Sequence, residues 1–372
     1  MLNVVVEGCS HGELDPIYAS VARIEEAASI KVDLLLCCGD FQSLRDAGDF
    51  EGMAVPAHHR HLASFHDYYH GRKVAPVLTI FIGGNHEASN YLQELHYGGW
   101  VAPNIYFLGF SGVVNVGGIR IGGLTGIYNH RHYSLGHFEA PPYSPDTLRS
   151  VYHVREYDVY KLAQLTGKVD IMMSHDWPRG IARHGNVGRL LQRKSYFREE
   201  IEDNTLGSPP AEQLLHMLKP AYWFSAHLHT KFAALVKHDD GTETRFLALD
   251  KCLPNREFLQ LVSLPRPTGR GAPVLRYDPE WLAIVKKTHH LLSSHRGNVY
   301  LPTECERVTD EEIADVRKRF DRVPHNFNPP PRPHNGGAGA LQGDPQVLDR
   351  VCSFIMHTGR LCVYVYVCGP RA

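Results

Sequence analysis

The chain has 372 residues, of which 43% are hydrophobic and 21% charged, and its formal net charge is −1. This balance is typical of a soluble globular protein with one large or two moderate domains. The net charge excludes binding to nucleic acid through overall positive charge, so any such contact must come from a local basic surface. No stretch approaches the roughly 20 apolar residues of a membrane-spanning helix. The N-terminus lacks the features of a secretory signal, which predicts a nuclear or cytoplasmic protein.

Strand-like runs recur through the first 250 residues, and each is short, apolar and rich in β-forming residues. The five clearest runs are residues 4–6, 32–38, 77–82, 169–173 and 222–224. Helix-like segments, such as residues 17–28 and 58–69, lie between them. This alternation predicts an α/β sandwich whose strands are buried on both faces.

Two further pairs of strand-like segments predict hairpins, which make the sheets mixed. Residues 105–116 and 119–124 are joined by a Gly-Gly pair, and residues 231–237 and 244–249 flank an Asp-Asp-Gly turn. Such short glycine-containing connections are typical of antiparallel hairpins.

The C-terminal part of the sequence has a different character. Residues 281–292 are helix-like, and Thr309 with Glu312 forms a capping box that predicts a helix ending near residue 320. Proline-rich and glycine-rich stretches follow, which indicate low complexity. The predicted regions are an α/β domain at residues 1–255, a smaller helical and extended domain at 256–325, and a low-complexity or poorly ordered tail at 326–372.

The cysteines argue against a structural zinc site, whereas the histidines favour a different kind of metal site. The eight cysteines contain no C-x-x-C pair, which argues against a structural zinc ribbon. Cys37 and Cys38 lie within an apolar run and are predicted core residues. The 24 histidines, by contrast, invite a search for metal ligands.

Polar residues follow the strand-like runs directly. These residues are Cys9, His11, Asp40, Asn85, His86, His175, His227 and His229. Polar groups beyond the carboxyl ends of buried strands converge on one rim of a sheet. Two divalent cations about 3.5–4 Å apart need a bridging carboxylate flanked by nitrogen and oxygen ligands. Asp40 can supply that bridge, and alternate residues such as Cys9 and His11 can face the same ion.

Taken singly, each of these signals has an ordinary explanation. A lone buried histidine is more often a core residue than a ligand, and a lone Gly-Asp is usually a turn. The conjunction, in this order and each at a strand end, favours a metal centre. Cys9 with a histidine could instead form a nucleophilic pair, although a metal-bound thiolate is a poor attacking group.

The order of motifs D-x-H, G-D, G-N-H-D/E, H and G-H-x-H defines the calcineurin-like metallophosphoesterases, and this sequence resembles that order over about residues 1–250. It departs from the pattern at Cys9, where aspartate is usual, and at Ala226, where glycine is usual. Lariat debranching enzymes carry cysteine at this position of the first motif, so the sequence resembles that family here. The stretches VVEGCSHGELD from Val5, CGDFQ from Cys38 and FLALDKCLP from Phe246 resemble it as well.

The resemblance implies a metallophosphoesterase-type αββα sandwich with mixed sheets and a dinuclear centre of Fe²⁺, Zn²⁺ or Mn²⁺. One ion would be bound by Cys9, His11, Asp40 and His229. The other would be bound by Asp40, Asn85, His175 and His227. His86 would lie beside the ions as a general acid or phosphate contact, oriented by a neighbouring acid such as Glu87 or Asp40.

The resemblance also implies a substrate, namely branched intron RNA, whose 2′,5′-phosphodiester bond would be hydrolysed in the nucleus, with the cytoplasm as a second expected location. It places a lariat-recognition insertion at about residues 125–155. The candidate RNA contacts there are Tyr128, Asn129, His130, Arg131, Tyr133, Tyr143, Tyr152, His153 and Arg155. Aromatic and guanidinium groups stack on unpaired bases. The alternative is a tyrosine-rich structural loop packed over the core.

Two rival functions stay open at this point. One is another metallophosphoesterase that acts on nucleotides or phosphomonoesters. The other is a scaffold of the same fold that binds without catalysis. An aromatic insertion argues against the first, and the survival of a ligating residue at every motif position argues against the second. Protein partners and a membrane association are not implied.

Overall fold

A computed structural model describes residues 1–266, 271–304 and 307–320. The predicted tail at residues 326–372 lies outside these described residues, as does the end of the predicted region 256–325. Among the described residues, no helix is both long and apolar enough to cross a membrane.

Thirteen strands and ten α-helices form the described part of the chain. The strands are β1 (Leu2–Glu7), β2 (Leu34–Cys37), β3 (Leu78–Phe81), β4 (Gly99–Ala102), β5 (Ile105–Phe107), β6 (Ser111–Val116), β7 (Ile119–Leu124), β8 (Ile171–Ser174), β9 (Tyr222–Ser225), β10 (Phe232–Lys237), β11 (Glu243–Ala248), β12 (Leu259–Leu264) and β13 (Leu275–Tyr277). The helices are α1 (Leu14–Ala28), α2 (Phe65–Tyr69), α3 (Ser89–Glu94), α4 (Pro145–Ser150), α5 (Glu156–Ala163), α6 (Val187–Arg193), α7 (Arg198–Glu202), α8 (Pro209–Leu218), α9 (Pro279–Thr288) and α10 (Asp310–Arg319).

The strands form two mixed sheets in the described residues. One has the order β12-β1-β2-β3-β5-β4 and the other β10-β11-β9-β8-β7-β6-β13. Strand β2 shows why the layers form, because all four of its residues are apolar and buried. Leu36 packs into the core between the sheets, whereas Leu35 packs into the core beneath α1 and α2. The predicted αββα sandwich with mixed sheets is therefore confirmed.

Two predicted elements differ from those observed. The helix predicted at 58–69 is reduced to α2, because Ala63 adopts a positive φ of 50° and interrupts the helical path. The strand predicted at 105–116 is two strands in different sheets, since β5 pairs with β3 and β6 pairs with β7. Gly109, with φ of 94°, lets the chain turn from one sheet to the other.

The chain beyond residue 255 completes both sheets. Strand β12 pairs antiparallel with β1, and β13 pairs antiparallel with β6. The described residues on both sides of the predicted boundary at residue 255 lie in one compact unit, and the boundary stays a prediction. The capping box at Thr309 and Glu312 is present at the start of α10 as predicted.

Candidate metal centre

The carboxyl ends of five parallel strands converge at one rim of the sandwich. Strands β1, β2 and β3 lead into Cys9, Asp40 and Asn85, while β8 and β9 lead into His175 and His227. This convergence is the physical reason that residues far apart in the sequence share one site.

The backbone at this rim is unusual. Four of the predicted metal ligands adopt positive φ angles: His11 (47°), Asp40 (48°), His227 (64°) and His229 (46°). Each such residue costs about 1–3 kcal/mol and tends to persist at functional sites. The neighbouring glycines are equally constrained, since a Cβ on Gly84 would lie 2.3 Å from Asp40 Oδ1. The local backbone is therefore shaped to aim side chains inward.

Four predicted ligands of the first ion lie together. The donor atoms of Cys9, His11, Asp40 and His229 are all within 4.8 Å of one another. His11 Nε2, His229 Nε2 and Asp40 Oδ2 are buried, and none has a hydrogen-bond partner among the described residues. Buried polar atoms without partners are costly, and a divalent cation would satisfy all three at once. This donor set therefore fits a metal ion.

The second predicted set shares Asp40. His175 Nε2 lies 3.3 Å from Asp40 Oδ1, whereas His11 Nε2 lies 3.8 Å from Asp40 Oδ2, so the two carboxylate oxygens face different histidines. Asn85 Oδ1 is also buried without a partner in the described chain. The His227 ring lies 5.0 Å from the His175 ring. The arrangement fits a second ion that shares the Asp40 carboxylate.

The orientation of the His175 ring is fixed by a hydrogen bond at Nδ1, the nitrogen that faces away from Asp40. Its Nδ1 lies 2.7 Å from the carbonyl oxygen of Cys38, to which it can donate. That contact leaves the Nε2 lone pair directed toward Asp40, as in many metal sites where a carbonyl orients the ligating imidazole.

Electrostatics at the rim favour a bound cation. Burial lowers the pKa of His11 to about 4 and that of His229 to about 3, so both imidazoles are neutral donors near pH 7. Burial raises the pKa of the Cys9 thiol, and the charges of Asp40 and Glu7 raise it further. A thiolate at this position therefore needs a neighbouring positive charge, which a bound metal ion supplies.

Glu87 has a different role from the one predicted. Its carboxylate accepts hydrogen bonds from the backbone N–H groups of Phe41, Gln42 and Gly84 at 2.7–2.9 Å. These bonds tie the turn after β2 to the turn after β3, so Glu87 braces the site and does not orient the His86 ring. Burial raises the pKa of Glu87 to about 7. Glu7, which the sequence reasoning did not select, braces the site in the same way by accepting from Ser10 Oγ at 2.6 Å.

His86 lies beside the donor atoms. Its backbone N–H donates to Asp40 Oδ1 at 2.8 Å, and its ring centroid is 5.6 Å from that of His11. The second acid suggested for orienting it, Asp40, thus contacts the His86 backbone.

The predicted RNA contacts divide into two groups. Tyr128, Asn129 and Tyr133 are partly exposed, and His130 and Arg131 are exposed. Tyr128 adjoins the metal centre, because its backbone N–H lies 3.3 Å from Asp176 Oδ2 and Asp176 follows His175. The Tyr152 carbonyl accepts from the Ile127 N–H at 3.3 Å, which places Tyr152 beside the residue that precedes Tyr128.

Three other predicted RNA contacts have hydrogen-bond or stacking partners within the protein. Arg155 has no exposed surface, and its guanidinium pairs with Glu139 and donates to backbone carbonyls of the loop. His153 is buried and stacks on His132. The Tyr143 hydroxyl donates to Gln93 Oε1. Arg155 and His153 are therefore corrected from RNA contacts to residues that hold the loop, because both are buried and already have protein partners. Tyr143 is partly exposed and stays a predicted contact.

A second cluster of potential ligands escaped the sequence reasoning. The donor atoms of His96, His137 and Asp158 lie within 4.8 Å of one another. Asp158 is already paired, with His137 Nε2 at 2.8 Å and the buried Lys161 Nζ at 3.1 Å. The three positions are widely spaced in sequence and none follows a strand-like run, so no local signal could have joined them.

The fold and the donor set define a calcineurin-like phosphoesterase, and the family model of that description matches residues 2–231. A second model, described as the C-terminal domain of lariat debranching enzyme, matches residues 241–347. The chain belongs to the lariat debranching enzyme family, as its relatives show.

Three of these relatives illustrate the similarity. The lariat debranching enzyme of Danio rerio is 59% identical over 295 residues, which cover 78% of this chain and 52% of that protein. The Homo sapiens enzyme is 57% identical, with coverage of 88% and 63%. The Arabidopsis thaliana enzyme is 54% identical, with coverage of 86% and 76%. The chain thus spans about half to three quarters of the length of these relatives.

Proposed function

We propose that this protein is a dinuclear metal-dependent phosphodiesterase that hydrolyses the 2′,5′-bond of branched intron RNA. The observation that carries the proposal is the set of buried donor atoms without partners at the rim, next to an insertion with partly exposed tyrosines. The relatives named as lariat debranching enzymes support the choice of substrate.

The donor set supports two divalent ions that share Asp40. Two such ions lower the pKa of a bound water and neutralise charge on the phosphate oxygens. Cys9, His11 and His229 would complete one site, and a thiolate there favours Zn²⁺ or Fe²⁺ over harder ions. Asn85, His175 and His227 would complete the other, where an amide oxygen also suits Mn²⁺.

In the proposed reaction, water attacks the phosphorus and the 2′-oxygen of the branch nucleotide leaves. The products are a linear RNA with a 5′-phosphate and a free 2′-hydroxyl, so no covalent intermediate is needed. His86 is placed beside the donor atoms without joining them, where its imidazole can hydrogen-bond the phosphate or give a proton to the departing oxygen.

The proposed RNA contacts are the residues of the insertion with exposed surface, and they include Tyr143 and Tyr152, which are partly exposed. Tyr128 and Tyr133 offer aromatic faces for unpaired bases, and His130 and Arg131 offer positive or polar groups to phosphates. Asn129 also has exposed surface. Their position beside His175 and Asp176 suits contact with nucleotides that flank the scissile bond.

The test is incubation of the metal-loaded protein with a branched RNA that carries one 2′,5′-bond, beside a linear RNA of the same sequence. We expect cleavage of the branch alone, with two metal equivalents per chain. A protein that cleaves phosphomonoesters but does not cleave the branched RNA would belong to the rival enzyme class. A protein that binds RNA but holds no metal and cleaves nothing would be a scaffold.

A further inference from the structure

A cleft of about 430 Å³ opens beside the metal centre, between the insertion and helix α8. Tyr128 and Tyr133 form one wall, with ring centroids 5.6 Å apart in an edge-to-face arrangement. Pro209, Pro210 and Gln213 form the facing wall. The volume lies within the range of small-molecule sites, and the facing apolar groups suit a flat ring.

The walls of this cleft are fixed by backbone contacts. The Ser208 N–H donates to the Trp177 carbonyl at 2.7 Å, and the Arg179 N–H donates to the Ser208 carbonyl at 3.1 Å. These bonds hold the start of α8 against the loop that follows β8. On the opposite wall, the Glu156 N–H donates to the Tyr133 carbonyl at 2.7 Å. The cleft is therefore preformed, which lowers the entropic cost of filling it.

The chemistry of the cleft selects a neutral ring over a phosphate group. A helix N-terminus usually offers free N–H donors to anions, but Pro209 and Pro210 have none, and the next donor, Ala211 N–H, is bonded to Ser208 Oγ at 3.3 Å. Arg179 is paired with Glu212 at 2.7 Å, so its charge is neutralised within the protein. A phosphate at this helix end would find no free N–H donor among Pro209, Pro210 and Ala211. It would also be repelled by the nearby Glu212 carboxylate.

We propose that this cleft holds the unpaired base of one nucleotide next to the branch, stacked between Tyr128 and the proline wall. The inference rests on the proposed function, because the cleft adjoins the metal centre through the contact of Tyr128 with Asp176. Glu212 and His216 also line the cleft, and together with the Gln213 amide they offer polar groups to the edge of a base. The cleft thus positions the branch by holding a neighbouring base.

The test uses branched RNAs that are identical except that one nucleotide flanking the branch lacks its base. Each is assayed for kcat/KM with the wild-type protein and with Tyr128→Ala, Pro209→Ala and Gln213→Ala. In the wild type, we expect one position at which loss of the base lowers kcat/KM by about 5- to 150-fold, the range for removal of one stacked base. In the wall variants that position-specific cost should shrink toward 1-fold, because both changes remove the same contact.

A matched control and two readouts keep the outcomes distinct. Tyr300→Ala removes an exposed tyrosine outside the cleft. It should leave the decrease in kcat/KM caused by each missing base unchanged. Metal content and the rate on a small chromogenic phosphodiester report whether each variant is intact. Equal costs in the wild type and all wall variants, or no costly position at all, would overturn the cleft proposal. Failure of the wild type to cleave any branched RNA would contradict the proposed function instead.

Discussion

Two clusters of potential metal ligands differ in what their carboxylate does. At the rim of the sandwich, Asp40 Oδ2 is buried and has no hydrogen-bond partner in the described chain. In the second cluster, both oxygens of Asp158 are already engaged, by His137 at 2.8 Å and by Lys161 at 3.1 Å. The donor atoms are within 4.8 Å in both clusters, so proximity alone does not distinguish them.

The difference teaches that the state of the carboxylate distinguishes the two clusters, because His96 Nε2 in the second cluster is also buried without a hydrogen-bond partner in the described chain. Lys161 has no exposed surface and already supplies a positive charge beside Asp158, and a dication there would be repelled by it. Its ammonium also lies 4.5 Å from the centroid of the Tyr157 ring, a stabilising cation–π contact. The second cluster is therefore an internal ion pair that helps to hold the insertion, to which His137 belongs.

The first way to break this comparison is Asp40→Ala. No other residue in the donor set can bridge two ions, so we expect loss of both metals and of all detectable cleavage of branched RNA. Metal content by mass spectrometry and a single-turnover assay measure the two effects. Asp158→Asn is the matched control and should retain both metals. Normal metal stoichiometry in Asp40→Ala would remove the dinuclear proposal.

His86→Ala tests whether a residue beside the donors acts without binding metal. We expect both metals to remain and turnover to fall by about 10²- to 10⁴-fold, the usual contribution of general-acid assistance. RNA affinity should change little, and it is measured on the same preparation. Loss of one metal equivalent would make His86 a ligand, and an unchanged rate would give it no chemical role.

Asp158→Asn should instead lower the free energy of unfolding. It leaves the Lys161 ammonium buried without its carboxylate, and removing one partner of such a pair typically costs about 3–5 kcal/mol. Urea denaturation measures the change. The double variant Asp158→Asn with Lys161→Met should recover most of the loss, because no unpaired charge remains. A double variant no more stable than Asp158→Asn alone would show that the ion pair is not the cause.

Cys9→Asp should have the smallest effect, a change of metal preference at one site. A thiolate is softer than a carboxylate, so the wild type should favour Zn²⁺ or Fe²⁺ and the variant should favour Mn²⁺. Competition between Zn²⁺ and Mn²⁺, followed by metal analysis, measures the shift. The same preference in both proteins would mean that the Cys9 sulfur does not bind metal.

The convergence of the candidate donor residues at one rim could be predicted because each follows a buried strand, and strand ends converge in any such sandwich. The burial of Arg155 could not be predicted from the sequence, because its local sequence would be the same whether the side chain were exposed or paired with Glu139. The same holds for Asp158, whose partners His137 and Lys161 depend on how the insertion packs. The helix predicted at 58–69 begins too early, because the pattern of apolar residues gives no sign of the positive φ of Ala63, and only Phe65–Tyr69 is helical.

The insertion is also tied to a late part of the chain, which matters during synthesis. The His137 N–H donates to the Ser293 carbonyl at 2.8 Å, and the Val299 N–H donates to the Ser134 carbonyl at 2.7 Å. Residues 137 and 293 are 156 positions apart (293 minus 137), and ribosomes add about 5–20 residues per second, so the partner segment arrives about 8–31 s later. A nascent chain can thus assemble its metal-binding strands before the loop that would meet RNA has its final brace.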